Sequence, residues 1–335
     1  MQECRPDFPD AEPVCLEEAG LAASVEIGRS APVETGSYLA GAAWALLAIS
    51  IWAGWFVSTR FSVSSNLTAY DLVALRFGVS AVILLPVAIR LRFGIGLLRW
   101  GTALALFAGS GVVYSVCVIV GLTFASAAGG AALTPGVMPM ATALLSVLIL
   151  KERLTQSQLG GLGLILGGVF LIAGVGLFHG TQGASAGHIL FVTGAFLFAG
   201  YSIALRRSGL TGMEAAALVS VWSSAVYLPV YIISLHPRLL ALPASQIVFP
   251  ALYQGVVTNV ISLVAYARAV AILGPSRASP FAALIPAVTA LLGILVLGEH
   301  PASADWAGIA CVSAGVYLAS GAPLRWVAKI VHKQS

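Results

Sequence analysis

One arginine lies inside an apolar stretch of this chain, and it is the first candidate for chemistry. Arg76 falls in LVALRFGVSAVILLPVAI, a segment with no other charged residue. A charge inside an apolar medium is costly and marks a functional site by default, and a guanidinium there can attract the carboxylate of a bound solute. As an alternative, Arg76 lies about 7–8 Å from the outer end of its segment at helical rise, so its charged end can extend to the interface.

Aromatic and amide side chains recur in the other apolar segments. Together they would line an apolar cavity that offers hydrogen bonds, suited to amino acids or aromatic cations. For most of them taken singly, lipid contact or packing between helices is the more common explanation. Asn259 is the exception, because an amide inside an apolar segment must find a partner. The cavity candidates, besides Arg76, are Trp44, Trp52, Trp55, Tyr114, Tyr201, Trp222, Asn259 and Tyr266.

Two prolines and two glutamates stand at matching places in the halves of the chain. Pro139 and Pro286 lie in the middle of apolar segments. Proline removes a helix hydrogen bond and kinks the helix, so each is a hinge candidate, with a fixed kink that only shapes packing as the alternative. Glu152 and Glu299 follow the same segments, where a carboxylate can cap the next helix or pair with a nearby arginine.

The sequence lacks the residue patterns that catalysis, phosphate binding or metal binding would need. No acid lies deep in an apolar segment, and the five histidines fall in loops or the tail. There is no phosphate-binding Gly-Lys motif, no pair of metal-ligand histidines and no plausible nucleophile triad. The four cysteines suggest neither a disulfide nor a metal site. We therefore expect no enzyme, no cofactor and no metal.

The elements that carry these residues are predicted to be membrane-spanning helices. Hydrophobic residues make up 59% of the chain and charged residues 9%, against about 25% charged residues in soluble domains. An open strand in lipid would leave backbone groups unpaired, so each apolar segment is expected to be helical. We predict an all-α integral membrane protein with ten transmembrane helices, roughly at 38–59, 70–90, 100–121, 126–150, 157–178, 187–205, 214–235, 249–270, 277–297 and 304–322.

The distribution of charged residues predicts on which side of the membrane the termini lie and what the tails are. With the N-terminus inside, eleven Lys and Arg residues of the loops and C-terminus lie inside and only Arg60 and Arg238 outside, so both termini are expected in the cytoplasm. Residues 1–36 hold eight acids and two bases, lack hydrophobic periodicity, and are predicted to be a disordered acidic tail. Residues 323–335 are expected to be a basic cytoplasmic tail. We interpret the basic charge as a loop signal and not as nucleic-acid binding.

The chain contains an internal duplication. LTPGVMPMATALLSVLILKE matches SPFAALIPAVTALLGILVLGE, with Pro139 aligned to Pro286. WAGWFVSTR matches FAGYSIALR, and LTAYD matches LTGME, in the same order. Each copy has an odd number of predicted helices, five, so the second must be inverted in the membrane around a central cavity. We assign residues 37–180 to the first repeat and 181–322 to the second.

These matched stretches resemble the EamA domains of the drug/metabolite transporter superfamily. That pattern has a small-residue-rich helix with a central proline, a Glu just after it, and a Gly-rich helix next. The resemblance covers roughly residues 38–322, and ten-span bacterial amino-acid and metabolite exporters, the YddG-like proteins among them, are similar in size and layout. It implies a basket-like bundle, a central cavity and a place in the bacterial inner membrane. The acidic tail and His300-Pro301 depart from the pattern.

We therefore expect a transporter that moves amino acids or related metabolites by alternating access between inverted halves. The alternatives are an exporter of aromatic cations or drugs and a non-transporting membrane scaffold. Four-span proton-coupled relatives carry a Glu in their first helix, which Tyr38 to Thr59 lacks, so that coupling is not expected. The expected partners are a small-molecule substrate and the lipid bilayer. Gly163 and Gly167 indicate a packing face, used within a monomer or in a weak homodimer.

Overall fold

Helices make up the regular structure of the described chain. The computed structural model describes residues 35–151, 154–179, 184–235 and 238–320. Each regular element in these ranges is a helix, which confirms the all-α prediction. Residues 1–34 of the predicted acidic tail, Glu152 and the basic C-terminal tail lie outside the described residues, and Thr35 and Gly36, predicted as the end of the tail, begin a helix.

The α-helices follow one another with short connections. In chain order they are α1 (Thr35–Ser64), α2 (Ala69–Arg90), α3 (Trp100–Ser110), α4 (Val112–Phe124), α5 (Ala127–Leu133), α6 (Met138–Leu145), α7 (Gln156–His179), α8 (Ala184–Ser208), α9 (Gly212–Ser234), α10 (Ala244–Leu252), α11 (Ser262–Leu273), α12 (Pro275–Ala278), α13 (Ile285–Leu297) and α14 (Ser303–Ala319). Between them lie π-helices at Ser146–Leu150 and Tyr253–Ile261 and 3₁₀-helices at Arg92–Gly94, Leu239–Ala241 and Ser279–Leu284.

Eight helical stretches of the described chain are long and apolar enough to cross a membrane. They are Tyr38–Ser64, Ala69–Arg90, Trp100–Phe124, Ala127–Ile149, Ala184–Ser208, Gly212–Ser234, Ala244–Leu273 and Ser279–Leu297. Gln156–Ile172 is a shorter apolar helix, and α14 has 17 residues. Helices therefore occur at all ten predicted positions. By length and apolar composition, eight of them can span a membrane.

Helices α2 and α9 begin in the same way. The Asp71 carboxylate accepts the Thr68 N–H at 2.7 Å, and the Thr68 hydroxyl oxygen accepts the Asp71 N–H at 3.2 Å. Thr211 and Glu214 form the same reciprocal pair at 2.8 and 3.3 Å. Such a capping box satisfies N–H groups that the first turn of a helix leaves unpaired. The residues that match between the halves in sequence thus share a local structure.

Pro139 and Pro286 lie in the middle of the apolar stretches Ala127–Ile149 and Ser279–Leu297, as predicted, and their role as hinges stays a prediction. Pro139 lies in the first turn of α6, and Pro286 lies in the first turn of α13. A proline there sacrifices no helix hydrogen bond, because the first N–H groups of a helix have no intrahelical partner. The breaks precede the prolines, between α5 and α6 and along the 3₁₀-helix Ser279–Leu284.

The packing of the helices follows the sequence duplication. Helix α1 packs on α11 and α13, and its counterpart α8 packs on α4 and α6. The helices α2 and α9, and likewise α7 and α14, are corresponding members of the two repeats that pack on each other. Exchanging the two repeats therefore maps these helix pairs onto themselves.

Glycines let α7 and α14 approach closely. A Cβ atom on Gly161 or on Gly168 would come within 2.7 Å of a carbonyl oxygen of α14, so larger residues would force the helices apart. A Cβ atom on Gly163 or Gly167 would meet nothing within 4 Å. The packing face predicted at Gly163 and Gly167 is therefore wrong within this chain, and a contact between two chains stays a prediction.

Candidate functional site

Arg76 is buried on α2 with its charged end inside the protein. The residue is 9% exposed. Its guanidinium carbon lies 5.1 Å from the centre of the Trp55 ring and 6.0 Å from that of Phe77. Among the residues that the structure describes, Nε and Nη1 find no hydrogen-bond partner. Extension of Arg76 to the membrane interface is therefore wrong. The site presents a desolvated cation with unused donors.

Trp55 is held from the other repeat. Its indole N–H donates to Gln254 Oε1 at 2.6 Å, and Gln254 Nε2 donates to Thr59 Oγ1 at 2.8 Å. Trp55 is 4% exposed and Gln254 is 1% exposed. The bonds therefore connect α1 to the π-helix Tyr253–Ile261 in the protein interior.

Trp52 lies one turn before Trp55 on the same side of α1. Its indole N–H donates to Ser262 Oγ at 3.0 Å. Its ring centre is 5.3 Å from that of Tyr266, at a tilt of 48°. The structure thus brings two of the predicted aromatic residues, Trp52 and Tyr266, into contact beside the residues that support Arg76.

Asn259 has a partner, as a buried amide requires. Its Nδ2 donates to Ser80 Oγ at 2.7 Å. The Ser80 hydroxyl donates to the Arg76 carbonyl oxygen, and the Gly255 carbonyl oxygen lies at 3.2 Å. Asn259 and Gly255 belong to the same π-helix as Gln254. The π-helix is therefore bonded to α1 and to the backbone that carries Arg76.

A second aromatic cluster forms between α4 and α8. The Tyr114 and Phe198 ring centres are 5.7 Å apart, and those of Phe198 and Tyr201 are 5.1 Å apart. Helices α3 and α8 approach closely here because residue 109 is glycine: a Cβ on Gly109 would lie 2.4 Å from Leu197 O. Helix α4, which carries Tyr114, packs on α2, which carries Arg76.

Two buried serine hydroxyls lie near the break between α3 and α4. Ser115 and Ser223 are fully buried, and neither hydroxyl has a hydrogen-bond partner in the described part of the chain. A Cβ on Gly111, at the break, would lie 2.6 Å from Ser223 Oγ. Buried polar groups without partners point to a bound water or ligand. These serines place two unpaired hydroxyl groups in the interior beside the helix break at Gly111.

Trp222 and Trp44 lie in other parts of the structure. The Trp222 indole N–H donates to the Phe93 carbonyl oxygen at 3.1 Å, in the connection between α2 and α3. A Cβ on Gly94 would lie 2.9 Å from the Trp222 ring, so the tryptophan covers this turn. Trp44 is 39% exposed on α1. Because Trp222 bonds to this turn and Trp44 is exposed, we place both outside the site.

Glu299 fixes the end of α13 to the first repeat. Arg60 Nε lies 3.7 Å from Glu299 Oε1, and Arg60 Nη1 donates to Leu122 O at 2.6 Å. The Ala127 N–H, at the start of α5, donates to the Glu299 carboxylate at 3.2 Å. Glu299 therefore pairs with an arginine as predicted, but the helix whose N-terminus it meets is α5 and not the helix that follows it.

Four polar residues of the site escaped the sequence prediction. Three of them, Ser80, Gln254 and Ser262, bond to predicted site residues, and the fourth, Thr59, bonds to Gln254. Gln254 carries the same signal as Asn259, an amide in an apolar segment, and that criterion would have found it. The serines and the threonine carry no such signal, because a hydroxyl can bond to its own helix backbone. No cluster of three or more potential metal ligands occurs in the described ranges.

Comparison with known proteins places this arrangement in a family. The profile of the "EamA-like transporter family" matches residues 39–174 and 185–321. A relative from Streptantibioticus cattleyicolor, the "Probable terminal-alkyne amino-acid exporter", is 29% identical over 198 residues, which are 57% of this chain and 63% of the relative. The match thus spans less than two thirds of that protein's length.

A solved structure shares the fold. The structure described as "Crystal structure of protein" superposes with a TM-score of 0.56 over 84% of this chain and 96% of that chain, at 18% identity. Such an identity supports the fold alone. Since the family profile covers both halves and the helices are long and apolar, the chain belongs to the EamA-like transporter family and is a multi-pass membrane protein.

Proposed function

We propose that this transporter moves small carboxylate-bearing solutes, amino acids foremost, by alternating access between two inverted five-helix halves. The observation that carries the proposal is Arg76. Its guanidinium is buried over Trp55, and Nε and Nη1 lack partners in the described chain. A desolvated cation is stable only when an anion or an equivalent set of acceptors comes to it.

A carboxylate fits the free atoms of Arg76. The guanidinium is planar and presents parallel N–H groups that match the two oxygens of a carboxylate. The described acids lie at or just beyond helix ends: Asp71, Glu214 and Asp305 are in first turns, and Glu299 follows α13. An anion for Arg76 must therefore come with the solute.

The name of the relative supports an amino acid as the solute. That protein is named as a probable exporter of terminal-alkyne amino acids. An amino acid brings the carboxylate that Arg76 requires, and its ammonium group can lie over aromatic faces such as those of Trp52 and Tyr266. The direction we propose for this chain is export from the cytoplasm.

The alternative cargo, an aromatic cation or drug, is less favoured by the charge of the site. A cation beside an unpaired guanidinium is repelled in a medium of low dielectric constant. The aromatic cluster of Tyr114, Phe198 and Tyr201 would suit such a solute, but it lies on helices α4 and α8, and α4 packs on the helix that carries Arg76. The site as a whole therefore selects an anionic or zwitterionic group.

Alternating access draws support from the exchangeable packing of the two repeats. Because α1 packs on α11 and α13 as α8 packs on α4 and α6, a rearrangement of one set has a counterpart in the other. Helix breaks before Pro139 and Pro286 offer places where these halves can bend. We propose gradient-driven or facilitated movement, and a strict proton requirement in vesicles would contradict it.

The topology that this mechanism needs comprises ten spans, with residues 37–180 and 181–322 as inverted units and both termini in the cytoplasm of a bacterium. Labelling of intact cells with a membrane-impermeant maleimide tests it in a variant without native cysteines. Arg238→Cys should be labelled from outside and Arg207→Cys only after lysis. Labelling of Arg207→Cys in intact cells would contradict the orientation.

We propose that the protein is a monomer or a weak homodimer.

Counterflow into liposomes tests the cargo. Purified protein is reconstituted with an unlabelled solute inside, and uptake of the labelled solute is measured. We expect counterflow with L-leucine and with an amino acid that carries a terminal alkyne. We expect none with leucinamide, which lacks the carboxylate, or with an aromatic quaternary ammonium ion. Equal counterflow with leucinamide would refute the carboxylate assignment, and no counterflow with any solute would favour the scaffold alternative.

A further inference from the structure

A π-helix carries the group that fixes Trp55. Gln254 belongs to the π-helix Tyr253–Ile261, and its amide bonds to Trp55 and Thr59 at 2.6 and 2.8 Å. An indole N–H can only donate, so the Gln254 oxygen faces Trp55 and its NH₂ group faces Thr59. Both bonds cross from the second repeat to α1. π-Helices are rare, and they occur frequently at functional sites.

The plane of the Trp55 ring sets where the Arg76 guanidinium can lie. The two groups are 5.1 Å apart, and the attraction requires the cation to stay over the ring face. Since Nε and Nη1 have no partner within the described ranges, no hydrogen bond from these atoms fixes the guanidinium. A turn of the ring would therefore shift the guanidinium with it.

Volume alone does not explain a glutamine at position 254. An amide that is 1% exposed needs hydrogen bonds to offset its lost hydration, whereas methionine would fill a similar space without that requirement. Both the oxygen and the NH₂ group of the amide bond to residues of α1. Its chemistry is therefore suited to holding the Trp55 ring in one orientation.

We propose that Gln254 is a positioning residue, which holds the Trp55 ring so that Arg76 faces the carboxylate of the solute. The inference rests on the proposed function. It adds that carboxylate affinity depends on the contact between the π-helix of the second repeat and α1 of the first. When the halves move and the bond between Gln254 and Trp55 opens, the ring loses its support, the guanidinium turns and the carboxylate is released.

The first test compares two glutamines in proteoliposomes. Gln254→Met removes both hydrogen bonds at similar length. Gln246→Met is the matched control, because Gln246 accepts a hydrogen bond from Asn66 Nδ2 at 2.9 Å at an exposed place. We expect the KM for L-leucine counterflow to rise about tenfold in Gln254→Met, as one lost buried hydrogen bond implies, with the maximal rate within about twofold. Gln246→Met should keep the wild-type KM.

A double-mutant cycle separates positioning from a general loss of structure. Trp55→Phe keeps a ring under Arg76 but removes the indole N–H. If the bond between Gln254 and Trp55 carries the effect, each single variant and the double variant raise the KM by about the same factor, because all three lack the same bond. If the increases in KM multiply, so that the double variant has a KM about a hundredfold above wild type, the proposal is overturned. Trp55→Phe alone tests the same bond where Gln254→Met fails to fold.

Different results would contradict the proposed function and the positioning role of Gln254. Absence of leucine counterflow in the wild-type protein overturns the proposed function, and the inference falls with it. Normal wild-type counterflow with an unchanged KM in Gln254→Met overturns the positioning role and leaves the proposed function standing. A KM that rises in Gln254→Met, with the control unaffected and the cycle non-multiplicative, supports both.

Discussion

Helices α2 and α9 show what the duplication kept and what it changed. Each begins with a threonine capping box, and each contains a proline at the same distance from its start, Pro86 in α2 and Pro229 in α9. Where α2 has Arg76, α9 has Val219 in the same register. Val219 is 3% exposed, so both positions face the interior. One helix carries a buried cation and its twin carries an aliphatic residue.

The aromatic contacts differ in the same sense. Trp52 of α1 packs on Tyr266, and its counterpart Phe198 of α8 packs on Tyr114. Trp52 also donates a hydrogen bond to Ser262, for which a phenylalanine has no donor. Both halves thus retain the ring contact, and only one adds hydrogen bonding to it. Symmetry serves the packing of the helices, and the departures from symmetry provide the chemistry of the site.

We expect the largest effect on transport from substitution of Arg76, the position at which α2 differs most from α9. Arg76→Gln should lower the maximal rate over KM for L-leucine counterflow about a hundredfold, since two charge-assisted hydrogen bonds to a carboxylate are lost. Arg76→Lys should retain part of the activity, because a single ammonium cannot match both oxygens. Counterflow in proteoliposomes at matched protein density measures both.

Val219 supplies the control for Arg76. Val219→Ala should change the rate over KM by no more than about twofold, since the second repeat contributes packing at this place. Equal losses in Arg76→Gln and Val219→Ala would show that the asymmetry between α2 and α9 has no bearing on transport.

The fold was largely accessible from the sequence. The lack of charge and the length of the apolar segments determine helices in lipid, and the matched stretches around Pro139 and Pro286 revealed the duplication. The location of the helix breaks was not accessible. Pattern and proline content alone cannot tell a kink inside a helix from the first turn of a new helix, and both prolines occupy first turns.

The candidate site was accessible only in part. Arg76 and Asn259 stand out because a buried charge or amide in an apolar segment needs a reason. Aromatic residues carry no such signal, so Trp222, which covers the turn at Phe93, was indistinguishable from Trp55. Which ring meets the guanidinium depends on contacts between distant segments, which a single sequence does not specify.

Removing the acid of each capping box should lower the unfolding free energy by different amounts in α2 and α9. Asp71 is 1% exposed and also accepts hydrogen bonds from the Tyr231 hydroxyl and from the Arg238 N–H, whereas Glu214 makes its described bonds within its own cap. Asp71→Ala should cost about 3 kcal/mol of unfolding free energy, because it leaves buried donors unpaired. Glu214→Ala should cost about 1 kcal/mol, as for a cap. Chemical denaturation in detergent micelles measures the difference, and equal costs would contradict it.

Glycine substitutions should act equally in the two repeats. Gly161 and Gly308 align at the same spacing as Pro139 and Pro286. Gly161→Ala in α7 and Gly308→Ala in α14 each place a Cβ within 2.9 Å of a backbone carbonyl oxygen of the other helix. Each should destabilise the protein by about 2 kcal/mol, since the helices must separate. Gly163→Ala, which points into open space, should be neutral or slightly stabilising. Unequal losses at the two symmetric positions, measured in the same micelles, would break the correspondence between α7 and α14.

The smallest effect concerns the two prolines, where the repeats agree most closely. Pro139→Ala and Pro286→Ala should each change the unfolding free energy by less than about 1 kcal/mol, because a first-turn N–H needs no intrahelical partner. Alanine restores a donor and allows the helix to extend back across the break. We therefore expect the maximal rate of leucine counterflow to fall about twofold to threefold in each variant, with KM unchanged. Identical flux in both variants and the wild type would show that the breaks shape packing only and do not act as hinges.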